Sequence, residues 1–306
     1  MTQSLVKWPM RVEAFAAKKL LGFFKRLGPV KASNLGGRFC RTAGPLLPVS
    51  KTADRNLQIA LPHLTRLQRR AIVKGVWENL GRTVGELPHL ANLQENTPSG
   101  PGFEVQGADY LRDQVEQGGP VLFLSGHIGN WEMLPPAVAR HGAPFASFYR
   151  AAANPLIDAM IRRLRDDAMA PTPMPLFAKG ARGAREALSY VAKGGRLGML
   201  VDQKMNDGVE ATFFGLPAMT APALAAMALK YRCTVIPGHV ERLGPARLRI
   251  IVEPPLILPQ TGNKQQDMAR LVQMVNDQLE VWIRQKPESW LWLHKRWPKS
   301  FYKSDQ

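Results

Sequence analysis

Short apolar runs alternating with helical stretches from about residue 108 onward predict an α/β fold, a central mixed, largely parallel sheet flanked by helices. Two more observations support that class. The chain has 306 residues, 45% hydrophobic and 21% charged, which suffices to bury a large core and makes a globular chain, not a disordered one, the default expectation. Before residue 30 a basic amphipathic stretch adds an N-terminal helical membrane-associating segment.

Taken in order, residues 7–28 place Val12, Phe15, Ala16, Leu20, Phe23 and Phe24 near helical spacing, with Lys18, Lys19, Lys25 and Arg26 between them. That pattern suits a helix lying in a bilayer interface, or one packing its apolar face on the domain. Residues 30–62 are rich in Gly and Pro and read as a connecting segment. The expected division is therefore 1–60, segment and linker, and 61–306, the main domain. A helix is expected from Thr65, where Gln68 completes a capping box, to Pro88. Strands are expected at Val121–Ser125, Phe145–Tyr149, Leu197–Asp202, Thr234–Glu241 and Leu248–Glu253. Helices are expected around 131–140, 155–169, 181–193, 222–231 and 266–286.

Charge narrows the partners. Lys and Arg number 41 against 24 acids, a net +17; residues 1–60 alone hold 11 basic residues against Glu13 and Asp54. Such an excess suits anionic lipid, phosphorylated substrates or nucleic acid. Two cysteines, Cys40 and Cys233, imply neither a disulfide framework nor a metal cluster. The longest uncharged run, Ala211–Leu229, contains Gly215, Pro217 and Pro222, which argues against a spanning helix and for a buried loop and helix.

The stretch with most chemical content is Val121–Pro135, VLFLSGHIGNWEMLP. It sets His127 at the carboxyl end of a buried strand, where open α/β sheets bind ligands. Glu132 follows five residues later across a loop and a first helical turn, with Asn130 as a cap. Histidine titrates near neutrality and suits the proton transfer of acyl transfer to a hydroxyl, and a carboxylate behind it fixes the tautomer. If the hydroxyl comes from the substrate, no protein nucleophile is required. The flanks of Ser125 are not those of a hydrolase elbow. On spacing alone, a satisfied strand-end histidine is the more common reading of His127, and the catalytic one the less common.

GHIGNWE resembles the H-x4-D/E motif of the lysophospholipid acyltransferase superfamily, in the form carried by the lauroyl and myristoyl transferases of lipid A biosynthesis. Further matches run in order: Asp54-Arg55-Asn56-Leu57 with Ala60 and Pro62; Tyr149-Arg150 with Asn154-Pro155; Asp202-Gln203 with Phe213-Phe214-Gly215 and Thr220; and Glu288-Ser289-Trp290 with Trp292 and His294-Lys295-Arg296-Trp297. The resemblance implies transfer of a fatty acyl chain from an acyl carrier protein thioester, or a coenzyme A thioester, to a hydroxyl of a phosphorylated lipid A precursor. His127 would be general base and Glu132 its orienting carboxylate. It implies work at the cytoplasmic face of the bacterial inner membrane, with no metal or organic cofactor.

Around that pair, Arg150 ends a strand and suits a phosphate. The arginine expected after the second block is Arg162, Arg163 or Arg165; Arg162 and Arg165 share a helical face. Asn154, Lys179, Asp202, Gln203, Phe214 and Gly215 complete the expected substrate-binding set, with Asp202 orienting a hydroxyl or a basic side chain and the aromatic pair lining an acyl groove or the core. A glycerophospholipid or another glycolipid acceptor fits the same catalytic pair. Nucleic-acid binding is a remote alternative, because no RNA-recognition motif or zinc spacing is present and the charge gathers beside an amphipathic helix.

Overall fold

The computed structural model describes residues 7–97, 99–172 and 174–302; the first six residues of the expected amino-terminal segment lie outside it. Helix α1 (Trp8–Leu27) turns at Gly28 into α2 (Pro29–Ala43). After a short turn come α3 (Ser50–Ala60) and α4 (Arg66–Glu86), the latter opened by the expected Thr65–Gln68 capping box. Residues 30–62, expected as a connector, thus form two helices. The glycines that suggested a loop serve close helix contact instead. A Cβ on Gly36 would lie 2.3 Å from the Gly81 carbonyl oxygen, so α2 meets α4 almost backbone to backbone. Ala53 and Leu57 of α3 are fully buried in the main core.

The remaining elements are β1 (Gln94–Glu95), β2 (Gly102–Gln106), α5 (Ala108–Gln117), β3 (Val121–Ser125), α6 (Leu134–Arg140), β4 (Ala146–Tyr149), α7 (Pro155–Met169), β5 (Leu176–Ala178), α8 (Ala181–Ala192), β6 (Arg196–Leu200), β7 (Lys204–Phe213), β8 (Leu216–Thr220), α9 (Ala223–Tyr231), β9 (Thr234–Gly244), β10 (Arg247–Val252) and α10 (Lys264–Gln285). The five expected strands and five expected helices of this half are present within a few residues of their expected limits. The uncharged run divides into the end of β7, a turn, β8 and α9, and no helix of the described residues is long and apolar enough to cross a membrane.

Eight strands form one sheet in the order β1-β2-β10-β9-β3-β6-β4-β5. Every pairing is parallel except β9 with β10, which form a hairpin. Central β3 is buried along its whole length, between β9 and β6. The chain leaves β3 toward β4 and β5 on one side, returns to β6, and only then crosses to β9. Such a reversal beside a central strand opens a crevice at the strands' carboxyl ends. Strands β7 and β8 make a separate hairpin, tied down by Arg296, which is 1% exposed. Arg296 donates to Thr220 Oγ1 (2.8 Å), Asn276 Oδ1 (3.1 Å) and the Met219 carbonyl (3.1 Å), and burial lowers its pKa to about 10.

Candidate active site

Register decides which side chains meet. Ser125 of β3 pairs with Leu200 of β6, and the Val201 amide donates to the Ser125 carbonyl (3.0 Å). His127 and Asp202 each lie two residues beyond that pair, so two adjacent parallel strands deliver them side by side. His127 Nδ1 is 2.8 Å from Asp202 Oδ1, and the His127 backbone amide donates to Asp202 Oδ2 (3.1 Å). Trp290 Nε1 donates to the same Oδ2 (2.8 Å). Asp202 is only 2% exposed, and this donor set holds it ionised and far below the usual carboxylate range against the opposing effect of burial. Its charge fixes the proton of His127 on Nδ1. Among the described residues His127 Nε2 has no hydrogen-bond partner, which leaves it a base toward the cavity.

The expected contact between His127 and Glu132 is replaced by another. Trp131–Met133 form a single 3-10 turn after β3, and this turn aims Glu132 across the crevice at α7. There Arg165 forks it, Nε to Oε2 at 2.8 Å and Nη2 to Oε1 at 2.7 Å. The carboxylate that holds the imidazole is therefore Asp202, and Glu132 acts on His127 through its charge. Burial alone would depress the pKa of His127. The adjacent Asp202 charge and hydrogen bond overcome this, Glu132 adds to them, and the net shift is upward. Asn130, expected as a cap, instead donates to Glu86 Oε2 (2.7 Å) from a fully buried position.

His127, Glu132, Arg165 and Arg150 stand at one end of a cavity of about 430 Å³. Its lining comes from β3, β4, β6, α6 and α7 and includes Leu90, Phe123, Ile236 and Val252. Its lining joins this charged group, with Asp166, to mostly apolar side chains, which suits an amphiphile. Gly198 on β6 keeps one wall flat, because a Cβ there would lie 2.2 Å from the Phe145 ring.

The other expected site residues divide in two groups. Arg150 is exposed at the mouth; Arg162 lies with its guanidinium 5.4 Å from the Tyr149 ring; Lys179 follows β5 and is exposed. Arg163, on the other face of α7 as expected, makes no hydrogen bond or ion pair among the described residues. Gln203 Nε2 stands 3.4 Å from His294 Nε2, and the His294 ring is 6.3 Å from that of His127. Partial desolvation and the charges of His127, Arg150 and Lys179 hold the His294 pKa below its ordinary value, a sign of the positive field at this mouth. His294 was not singled out in the sequence as a site residue, although its place in the carboxyl-terminal signature was the available signal.

Three expected residues turn into the fold instead. Asn154 caps α7, accepting from the Leu156 amide (3.0 Å), and its amide donates to Glu13 Oε2 (2.9 Å) and the Met10 carbonyl (2.8 Å) of α1. Phe214 is buried at the β7–β8 turn among Phe213, Trp292 and Trp297, and Gly215 supplies the turn with φ +74°. These positions support the site's frame, since a hairpin tip and a helix cap both need particular backbone geometry. The buried Ser125 hydroxyl faces the Gly126 carbonyl (3.5 Å), and Cys233 is buried with its thiol pushed up to about 11, so neither is a primed nucleophile.

A family model described as bacterial lipid A biosynthesis acyltransferase matches residues 4–299. The chain is 23% identical over 253 residues to the lipid A biosynthesis acyltransferase of Haemophilus influenzae, covering 79% of this chain and 73% of that protein. It is 24% identical over 266 residues to the lipid A biosynthesis myristoyltransferase of Escherichia coli strain K12, covering 84% and 78%.

Proposed function

The chain belongs to the bacterial lipid A biosynthesis acyltransferase family, and from that premise we propose that it moves a fatty acyl chain from an acyl-carrier thioester to a hydroxyl of a phosphorylated lipid A precursor. The observation that carries the reading is the His127–Asp202 pair at the charged mouth of an apolar cavity. The acyl chain lies in the cavity with its thioester carbonyl at the mouth. His127 Nε2 takes the proton of the acceptor hydroxyl as its oxygen attacks that carbonyl. Asp202 holds the ring and stabilises the imidazolium. The tetrahedral intermediate collapses, the C–S bond breaks, and the proton passes from His127 to the leaving thiolate. Transfer is direct, with no acyl-enzyme. The Glu132–Arg165 fork fixes the far side of the mouth, and Arg150, Lys179, Arg162 and Gln203 bind substrate phosphate and polar groups.

The donor is acyl carrier protein, an acidic partner drawn to the basic surface, with a coenzyme A thioester as the alternative. The enzyme works on the cytoplasmic face of the inner membrane, docked through α1. On one face of that helix Trp8, Val12, Phe15 and Phe23 are exposed, with the Lys19 amine 5.3 Å from the Phe15 ring.

The test is incubation of purified protein with labelled acyl-carrier thioester and a lipid A precursor, with a glycerophospholipid as the parallel acceptor, and mass spectrometry of the products. The expected result is one added acyl chain on the lipid A precursor, lost in His127→Ala. Acylation of the glycerophospholipid alone would move the assignment to that acceptor. Label trapped on Ser125 or a cysteine would refute direct transfer.

A further inference from the structure

Glu86 ends α4 and is fully buried. Its two oxygens collect donors from four parts of the fold: Ser33 Oγ of α2 (2.6 Å), Asn130 Nδ2 (2.7 Å), the Ala246 amide (3.0 Å) and the Arg242 guanidinium of β9. Arg242 donates onward, through Nε to Asn79 Oδ1 (2.9 Å) and through Nη2 to Thr83 Oγ1 (3.3 Å). Asn79 then donates to the Gly129 carbonyl (2.9 Å), and the Gly129 amide donates to the Ser289 carbonyl (3.0 Å).

The cluster therefore grips Gly129 and Asn130, the midpoint of the segment whose ends carry His127 and Glu132. Gly129 has φ +61°, and a Cβ there would lie 2.0 Å from the Val240 carbonyl oxygen, so the segment is pressed against β9 as well. Glu86, Arg242 and Asn79 are not among the residues lining the cavity. A buried ion pair is a weak source of stability, since desolvation consumes most of the Coulomb gain and apolar replacement of both partners is often neutral. What such a pair fixes well is position.

We infer that Glu86 and Arg242 are positioning residues for acyl transfer, setting the placement of His127 relative to the Glu132–Arg165 fork across the mouth. The inference rests on the proposed role of His127. A displacement of about 1 Å at a reacting group is enough to cost roughly 100-fold in rate.

Three variants of the full chain test it: Glu86→Gln, the apolar double variant Glu86→Leu/Arg242→Met, and Asn79→Ala, which removes the hold on Gly129 together with one acceptor of Arg242 and leaves the Glu86–Arg242 pair in place. Each is followed by thermal unfolding, kcat, KM and the pH profile. Glu86→Gln is expected to lower kcat about 100-fold, with KM within about twofold and the acidic limb of the profile unmoved, because Asp202 still holds His127. The double variant removes the buried charges but leaves Ser33, Asn130 and the Ala246 amide without their acceptor, so it is expected to recover the melting temperature in part and kcat not at all, and Asn79→Ala to lower kcat about tenfold with a smaller loss of stability than Glu86→Gln. Recovery of both stability and kcat in the double variant, or wild-type kcat in folded Asn79→Ala, would overturn the inference. His127→Ala runs alongside: if it stays active, the catalytic reading has failed, whereas an inactive His127→Ala beside fully active network variants sinks the positioning role alone.

Discussion

His127 and Asp202 stand two residues beyond the same rung of the sheet, the Ser125–Leu200 pair, and this equal offset brings them to 2.8 Å. The relationship makes a pH prediction with a definite sign. In the proposed mechanism His127 acts as a neutral base, and its pKa is raised above the ordinary 6.5, so the acidic limb of kcat/KM is expected above that value in the wild type. Asp202→Asn removes the charge that raises the pKa but keeps the burial that lowers it. The limb is expected to move to lower pH, and kcat to fall about 1,000-fold as the tautomer is lost. Glu132→Gln is expected to move the limb in the same direction by less, because Asp202 is the larger influence. An unmoved limb in Asp202→Asn would mean that another group titrates.

Arg165 and Glu132 make a planar, two-bond contact, which an ammonium cannot reproduce. Arg165→Ala leaves a carboxylate 14% exposed without its partner. The expected loss in kcat/KM is about 100-fold, from roughly 3 kcal/mol of uncompensated charge at the mouth. Arg165→Lys is expected to recover only part of it. Steady-state kinetics of both variants beside wild type decide the point, and full activity in Arg165→Lys would reduce the fork to simple charge pairing.

The part of the fold carried by hydrophobic period was legible in the sequence. Strand β3 is a continuous apolar run because both its faces are covered, and α10 announces itself by Met268, Leu271, Val272, Val275, Leu279 and Ile283. Strands β2 and β5 are short or interrupted and gave no such period. Helix α2 looks like connecting chain in the sequence because Gly36 and Gly37 lower helix propensity, a cost outweighed by contact with α4 that only the folded chain reveals. The site was half legible for a related reason. His127 shows itself by its place after β3, but its partner is set by the register between strands 75 residues apart in sequence. Glu132 is five residues away and in plain view, yet a single 3-10 turn directs it elsewhere.

The same contrast explains Asn56. It lies in the segment resembling the family's upstream block, and its role is purely architectural. Fully buried, it donates to the carbonyls of Trp292 and His294 (both 2.6 Å) and accepts from the Tyr302 hydroxyl (2.5 Å), which ties α3 to the stretch carrying Trp290 and His294. Asn56→Ala leaves three polar groups short of a partner and is expected to destabilise the protein by about 3 kcal/mol. Thermal unfolding measures this, and a loss below about 1 kcal/mol would show that water replaces the amide.

Cavity depth should govern which chain is transferred. Val252 and Ile236 line the cavity together with Leu90 and Phe123, and Val252 is 5% exposed. Val252→Phe adds bulk to a packed wall, at a cost of about 1–3 kcal/mol in stability. It is expected to shift the product toward shorter acyl chains while leaving the His127 limb of the pH profile in place, since the substitution does not alter the charges around the imidazole. Product chain lengths from a mixture of thioester donors, read by mass spectrometry, give the outcome. An unchanged length distribution in a folded, active variant would place the acyl chain outside this cavity.

The last prediction concerns α1. Its exposed Trp8, Val12, Phe15 and Phe23 recur at helical spacing on one face, while Phe24 is buried and its carbonyl meets His89 Nε2 (3.0 Å). The helix is therefore fixed to the body with an apolar stripe left uncovered; Lys19 and Arg26 fall within its arc, and Lys18 and Lys25 lie beside it. If that stripe docks on the bilayer, charge and apolar surface make separable contributions. Each basic residue near an anionic surface contributes about 1 kcal/mol, so Lys18→Glu/Lys25→Glu should weaken binding to anionic vesicles by at least roughly 30-fold, and the loss should shrink at high salt. Phe15→Ser/Phe23→Ser should weaken binding at all salt concentrations and to neutral vesicles too, because buried apolar area is not screened. Neither pair touches Asn154 or the cavity, so turnover of detergent-dispersed substrate should remain near wild type in both. Sedimentation with vesicles of the two compositions is the measurement. Unchanged sedimentation in both variants would show that α1 is not the docking element.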